Sequence, residues 1–509
     1  MYKQFAGNSL SSRMLSALVV LLIAAIVFPV LGQQETPPPP SAPRSVSFPK
    51  PVEKTLRNGL RVIVIEKKDD PLVAAQLLIK NGGEVDPQQL AGLAQVTANL
   101  LTKGTATRTA PQIAEAIEAL GGALDSGAGW DSSSASFNVM SSKLTPAMEI
   151  LADVVRRPSF KPEEIERLRG QALDEVNVAL RQPGTLARAV ASRVVFGDAP
   201  YGHPLSGTPE SLARIERDDI ARLHSTYYRP DNAILVLGGG IKANDAFKLA
   251  ERLFGDWQKP ATALPQSIAA GKNAMGAMAK TTNDQSRVVV IDKPDAGQAA
   301  VVLTRTGIKR ADPNYFRALV ANSVLGGGYS ARLNQEIRIK RGLSYGASSS
   351  ISARREVGPF IAATQTKNES GAIVASLLSS ELNRLSSEPV LAAELTPRKA
   401  VLTGNFSRGL ETTAGLVAQV GTIALYGLSL DEINRYINNV QAIEANDVQQ
   451  FAGIALDAKK ADIVIVGDAK KFLTDLRKQF PNVEVIPEAA LDLNNATLRR
   501  ANATGTGQK

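Results

Sequence analysis

The stretch QLAGLAQVTANLLTKGT, Gln89 to Thr105, places Leu90, Leu93, Ala94, Thr97, Ala98, Leu100 and Leu101 at three- and four-residue spacing. That is the period of a helix with one buried face. Asp86-Pro87 just upstream offers an N-cap and a first-turn proline, and Gly104 offers a stop. Gln95 and Asn99 stand four apart with Ala98 between them, so the spacing predicts that all three share one side of the helix.

His, Glu and His at those three positions would form the inverted zinc-peptidase motif H-x-x-E-H. Two imidazoles one turn apart grip the metal, and the carboxylate polarises its water. Here the positions read Gln95, Ala98 and Asn99. The surrounding letters resemble the M16 peptidases (pitrilysin, insulin-degrading and mitochondrial-processing types), whose motif helix runs G-x-A-H-x-x-E-H-x-L-x-K-G-T. Gly92, Ala94, Leu101, Lys103, Gly104 and Thr105 stand where that pattern wants them. The frame is kept and the metal chemistry is lost. The family takes its third ligand from a glutamate on a later long helix. Glu175, in Leu173-Asp174-Glu175-Val176, falls close to that place and reads as a helix-surface acid.

Composition sets the same limit independently. The 509 residues contain no cysteine, which excludes disulfides, thiolate metal sites and cysteine nucleophiles. The two histidines, His203 and His224, cannot complete a tetrahedral site of nitrogen and sulfur donors. The expectation is no metal and no cofactor in this chain, with His203 structural and His224 a surface or partly buried residue on a helix face. At 44% hydrophobic and 21% charged the chain is that of a multidomain globular protein. A net charge of +9 without a run of five basic residues gives no nucleic-acid signature.

Taken in order, residues 1–32 read as a signal peptide or anchor. Lys3 and Arg13 precede the apolar run Leu15 to Leu31, which ends at Gly32. Residues 33–50 form a Pro-rich linker. An N-terminal domain is expected over 51–257, a linker over 258–285, a C-terminal domain over 286–487 and a disordered, Asn-, Ala- and Thr-rich tail over 488–509. In the first domain, runs rich in apolar and β-branched residues predict strands at Leu60–Ile65, Val73–Ile79 and Ala233–Leu237, with further strands expected near Ala123–Gly127 and Ser134–Met140. A long helix from Pro162 is predicted to stop at Pro183, and Gly238 to Gly240 reads as a turn.

The chain then repeats itself. Arg61 to Ile65 (RVIVI) returns as Arg287 to Ile291 (RVVVI), and Asp86-Pro87 returns as Asp312-Pro313, both at an offset of 226. So long a period is a domain duplication, not a solenoid. The resemblance implies an α+β fold: duplicated LuxS/MPP-like metallohydrolase-type α/β domains forming a two-half clamshell.

The second half carries the fullest match. Leu325 to Tyr345 (LGGGYSARLNQEIRIKRGLSY) is similar to the M16 segment in which a Gly-rich loop leads into a helix reading S-R-L-x-x-x-I-R-x-x-x-G-L-x-Y. The resemblance implies that Arg338 and Tyr345, seven apart, hold a substrate carbonyl and stabilise the tetrahedral intermediate. Such donors sit where negative charge develops on the attacked oxygen. Gly326, Gly327 and Gly328 read as a loop that bends or lets a peptide pass, because no Walker lysine follows them. In two-chain M16 enzymes one subunit carries H-x-x-E-H and its partner has lost it. The implied function is an exported, periplasmic or secreted, non-catalytic subunit that binds peptides and lends Arg338 and Tyr345 to a zinc-bearing H-x-x-E-H partner. The alternative is an inactive scaffold or peptide-binding protein in an envelope complex.

Overall fold

The computed structural model describes residues 48–265 and 286–500. The expected signal or anchor, nearly all of the Pro-rich linker, most of the 258–285 linker and residues 501–509 lie outside the described residues. Among the described residues no helix is long and apolar enough to cross a membrane.

Two six-stranded mixed sheets form the frame. The first runs β1 (Val52–Thr55), β2 (Arg61–Glu66), β6 (Ala233–Gly239), β3 (Leu72–Ile79), β5 (Ser133–Met140), β4 (Leu124–Ala128). The second runs β12 (Val483–Pro487), β7 (Val288–Asp292), β11 (Asp462–Gly467), β8 (Ala299–Thr306), β10 (Pro359–Thr366), β9 (Ala347–Ile351). The RVIVI repeat accordingly occupies equivalent strands: β2 pairs parallel with β6, and β7 pairs parallel with β11. The duplication predicted from the offset is present, apart from the outermost strand. β1 precedes its sheet in sequence and runs antiparallel to β2, whereas β12 follows its sheet and runs parallel to β7.

The central strands β2, β6, β7 and β11 are apolar on both faces because both faces are covered. Val62 and Val64 enter the core beneath the helices of the first half, among them Leu144–Arg156 and Ala243–Phe254. Ile63 and Ile65 point the other way, into a second core shared with a helix of the second half, Thr413–Leu425. The second sheet mirrors this. Val288 and Val290 face its own helices, while Val289 and Ile291 meet Leu186, Val190 and Val194 of helix Pro183–Phe196 from the first half. Each half therefore covers one face of the other's sheet.

Five helices are needed below: α1 (Leu93–Leu100), α2 (Pro162–Arg181), α3 (Pro183–Phe196), α4 (Tyr315–Gly326) and α5 (Thr413–Leu425). Pro183 does stop α2, as predicted, but it also starts α3. Gln182 closes one helix and opens the next, and Pro183 takes the first position, where its missing N–H has no partner to lose. Gly238 is not in a turn. It lies in β6, and a Cβ there would stand 2.8 Å from Val417 of α5, so the glycine lets the exchanged helix settle onto the sheet.

Residues 488–500, expected to belong to a disordered tail, are ordered. Leu491, Leu493 and Leu498 are buried in the core around α3. The Leu493 carbonyl accepts from Arg193 Nε and Nη2 at 3.1 and 2.8 Å, and Arg193 itself is fully buried. Three leucines spread through a polar stretch carry the anchoring, which composition alone does not register.

A polar cluster also ties the halves together. On the β9–β10 connection, Arg355 donates to Glu84 Oε1 at 3.0 Å, to the Lys80 carbonyl at 2.7 Å and to the Asp131 carbonyl at 2.8 Å. The buried Asp131 carboxylate accepts from Tyr201, Tyr426 and the Arg355 N–H. Arg354 stacks beside Trp130 and Tyr201, 4.5 and 4.6 Å from the ring centroids. Burial pushes the Glu84 carboxyl up to about 7 despite Arg355 beside it.

Candidate functional site

The stretch that opened the sequence is not one helix. A 3₁₀ turn, Gln88–Leu90, is followed by α1 from Leu93 and a second 3₁₀ turn, Leu101–Lys103. Asp86 is not the adjacent N-cap; Gly92 is, with φ of 94°. Asp86 still caps α1 by reaching back over the intervening turn: its carboxylate accepts from the Gly92 and Ala94 N–H groups, both at 2.8 Å.

On α1, Ala98 is fully buried and offers only a methyl. Gln95 Nε2 donates to Asn99 Oδ1 at 3.2 Å, so the two amides partly satisfy each other. Both face Gly127 of β4, on which a Cβ would lie 3.8 and 3.9 Å from them. Glu175 is exposed on α2. Neutral amides, a methyl and a solvated carboxylate do not fit a zinc ion, which takes imidazole, thiolate or carboxylate donors converging at about 2.0–2.3 Å. Among the described residues no group of three or more His, Cys, Asp or Glu is placed to hold a metal.

The histidines are held in the framework. His203 lies between the carbonyls of Pro204 and Gly83, at 3.0 and 2.9 Å. His224 contacts the Val155 carbonyl at 2.9 Å and stacks on Tyr228, and burial lowers its pKa to about 4.

The second-half segment builds the richer site. After α4 and its glycines the chain makes one helical turn, Arg332–Asn334, then a π-helix over Gln335–Lys340. The predicted helix is thus wider than an α-helix where it carries Arg338, and such π segments recur at functional sites. Three side chains anchor it. Arg332 makes a bidentate pair with Glu394, at 2.8 and 2.9 Å. Glu336 holds Lys340 at 3.0 Å and Arg341 at 2.8 Å. Asn334 donates to the Tyr329 carbonyl at 2.6 Å and accepts from the Ala347 N–H at 3.2 Å, so it spans from the glycine loop to the start of β9.

Arg338 has no carboxylate partner among the described residues. Its guanidinium lies 4.8 Å from the centroid of the Tyr329 ring. With Gly326, Gly327, Gly328, Tyr329 and Asn334 it lines a recess of about 620 Å³. The glycines serve close approach here, not bending. None has a positive φ, and a Cβ on Gly326 would stand 2.3 Å from the Ser349 nitrogen of β9.

Tyr345 is 88% exposed. It lines a second recess, of about 710 Å³, between the start of α3 and strands β8 and β10. Gly346 and Ser348 belong to both linings, so the two recesses adjoin. The turn is pinned from below, where Thr364 Oγ1 donates to the Gly346 carbonyl at 2.7 Å and Thr366 Oγ1 to the Leu343 carbonyl at 2.6 Å. The structure thus brings together Arg338, the three glycines and, across a shared wall, Tyr345. No described contact joins them to Gln95, Ala98, Asn99 or Glu175. Sequence reasoning missed Gln182, Thr185 and Arg188 of the α3 segment as wall residues. The signal was available: Pro183 at a first-turn position, then Leu186, Ala187, Val190, Ala191 and Val194 at helical spacing.

Comparison with known proteins agrees with this geometry. A family model described as "Insulinase (Peptidase family M16)" matches residues 61–209, and one described as "Peptidase M16 inactive domain" matches residues 214–402. An "uncharacterized zinc protease" of Rickettsia bellii is 27% identical, covering 81% of this chain and 96% of its own length. One from Streptomyces coelicolor is 25% identical, covering 82% and 89%. A crystal structure described as a peptidase M16 inactive domain from Pseudomonas fluorescens superposes with a TM-score of 0.74 at 26% identity, covering 82% of this chain and 98% of that one. A protease from Helicobacter pylori shares the fold at a TM-score of 0.76 and 19% identity, covering 83% and 100%. With two M16 family models matching residues 61–209 and 214–402 in tandem, together more than half its length, the chain belongs to peptidase family M16.

Proposed function

We propose that this chain is an exported, non-catalytic M16 subunit that binds peptides and presents Arg338 and Tyr345 to the substrate carbonyl in the site of an H-x-x-E-H partner. One observation carries most of the support: Arg338 is the cation of its segment left without a carboxylate, while Lys340 and Arg341 are held by Glu336. A guanidinium kept free at the rim of a recess, beside an exposed phenol, suits an attacked carbonyl oxygen. The "inactive domain" and "zinc protease" descriptions of its relatives accord with a catalytic scaffold whose metal chemistry resides elsewhere. In this proposal zinc belongs to the partner alone, and Gln95, Ala98 and Asn99 contribute nothing to its binding.

The test is co-expression with an H-x-x-E-H relative encoded in the same genome. Peptidase activity is expected only from the pair. Arg338→Ala and Tyr345→Phe are each expected to lower kcat by about 10²–10³, the effect of removing one oxyanion donor, with the complex still formed on size-exclusion chromatography. Full activity in both variants, or cleavage by this chain alone, overturns the proposal.

A further inference from the structure

The duplicated fold creates two equivalent recesses of unlike charge. In each, the first turns of the exchanged helix overhang the three strands at one edge of the opposite half's sheet. The recess under α5 opens over β3, β4 and β5, measures about 300 Å³, and has Asp125 as the single charged residue in its lining. The recess under α3 opens over β8, β10 and the start of β9, measures about 710 Å³, and has Arg188 as the single charged residue in its lining. Arg188 is exposed and lies within ion-pair distance of no carboxylate among the described residues. The remaining wall is uncharged: Gln182, Thr185, Gln298, Ser344, Thr364 and Gln365 supply polar groups beside the apolar Ala300, Val302 and Ala363. The adjoining recess adds Arg338, likewise unpaired, and again no acid.

Two free guanidiniums facing a continuous, acid-free polar trough make a local field that favours an anionic occupant. The amides and hydroxyls suit a peptide backbone, and a planar guanidinium suits a carboxylate. We propose that the recess under α3 selects peptides bearing a carboxylate, read by Arg188, alongside the backbone held near Tyr345 and Arg338. This rests on the peptide-binding function proposed above. It adds the substrate class: acidic peptides, entering on the second half and not on its Asp125-lined twin.

The probe is a set of fluorescein-labelled octapeptides of Gly, Ala and Ser with amidated C-termini and Glu, Gln or Lys at one central position. A fourth peptide carries Gln and a free C-terminal carboxylate. Fluorescence anisotropy with the purified full chain gives each Kd. The Glu peptide, the free-acid peptide or both are expected to bind roughly fivefold or more tightly than the amidated Gln peptide at low salt, with the margin shrinking in high salt. Which one gains identifies a side-chain or a terminal carboxylate as the ligand. Arg188→Gln is expected to bring the ratio to about one, and Arg188→Glu to move the preference to the Lys peptide. Asp125→Asn is expected to leave the ratio unchanged. Equal binding of all four peptides, or a preference that survives Arg188→Gln, overturns the inference and leaves peptide binding standing. Binding of none of them counts against the peptide-binding function itself, and the inference falls with it.

Discussion

Glu84 shows how one residue can couple the halves to pH. It accepts from Asn81, from the Gly82 N–H and from Arg355, and it shares its surroundings with the carboxyls of Asp131 and Asp86. Burial dominates, and the carboxyl is pushed from its ordinary 4.5 up to about 7. The folded chain therefore keeps this proton to a higher pH than the unfolded chain does. The resulting stabilisation is full below about 4.5 and is lost as pH rises to about 7. His224, lowered to about 4 by burial, has the opposite sign and adds stability as pH rises towards 6.5. Other buried acids, Asp462 among them, titrate with the same sign as Glu84, so the variant is the informative measurement. The stability difference between native chain and Glu84→Gln, from urea unfolding, is expected to fall by about 3 kcal/mol between pH 4.5 and 7.5. Parallel pH profiles would show that Glu84 titrates as an ordinary surface acid. At this scale the sequence singled out Gln95, Ala98, Asn99, Arg338 and Tyr345, because a motif fixes which positions to compare. It was silent on Glu84 and Asp131, whose partners lie 271 and 224 residues away.

Elements were legible where a local rule decides them and obscure where the partner is remote. The central strands were readable because burial on both faces leaves continuous apolar, largely β-branched runs. The π-helix was not, since an i→i+5 pattern has no composition of its own. Helix α3 was passed over because Pro183 signals both an end and a beginning. Its energetic weight is nonetheless large, because Leu186, Val190 and Val194 fill the core against the other half's sheet. Leu186→Ala is expected to destabilise the protein by roughly 2–5 kcal/mol, as a cavity in a packed core does. The shared core adds a sharper expectation: both halves lose stability together, in one calorimetric transition at a lower Tm. Two separated transitions, with only one displaced, would mean that the halves fold independently.

Across the whole molecule the exchange of α3 and α5 makes each half part of the other's core, and the C-terminal segment fastens the arrangement from outside. Residues 488–500 follow the last strand of the second half and then cross onto the first, where Thr208 Oγ1 donates to Asn494 Oδ1 at 2.7 Å and Arg500 pairs with Glu210 at 3.5 Å. Arg193 is the critical partner. Its buried guanidinium, with its charged form disfavoured by burial, is served by the Leu493 carbonyl, the Gly197 carbonyl and Asp198. Removing the segment uncovers Ile486 and the leucine-lined side of α3 and strips two hydrogen bonds from a buried cation, a loss of several kcal/mol. A chain ending at Pro487 is therefore expected to melt well below the full-length protein and to be cut by trypsin around α3. A chain ending at Arg500 is expected to match full length in both respects. If the two truncations behave alike, the leucines of 491–498 do not hold the halves together, and the exchanged helices alone account for the cohesion of the fold.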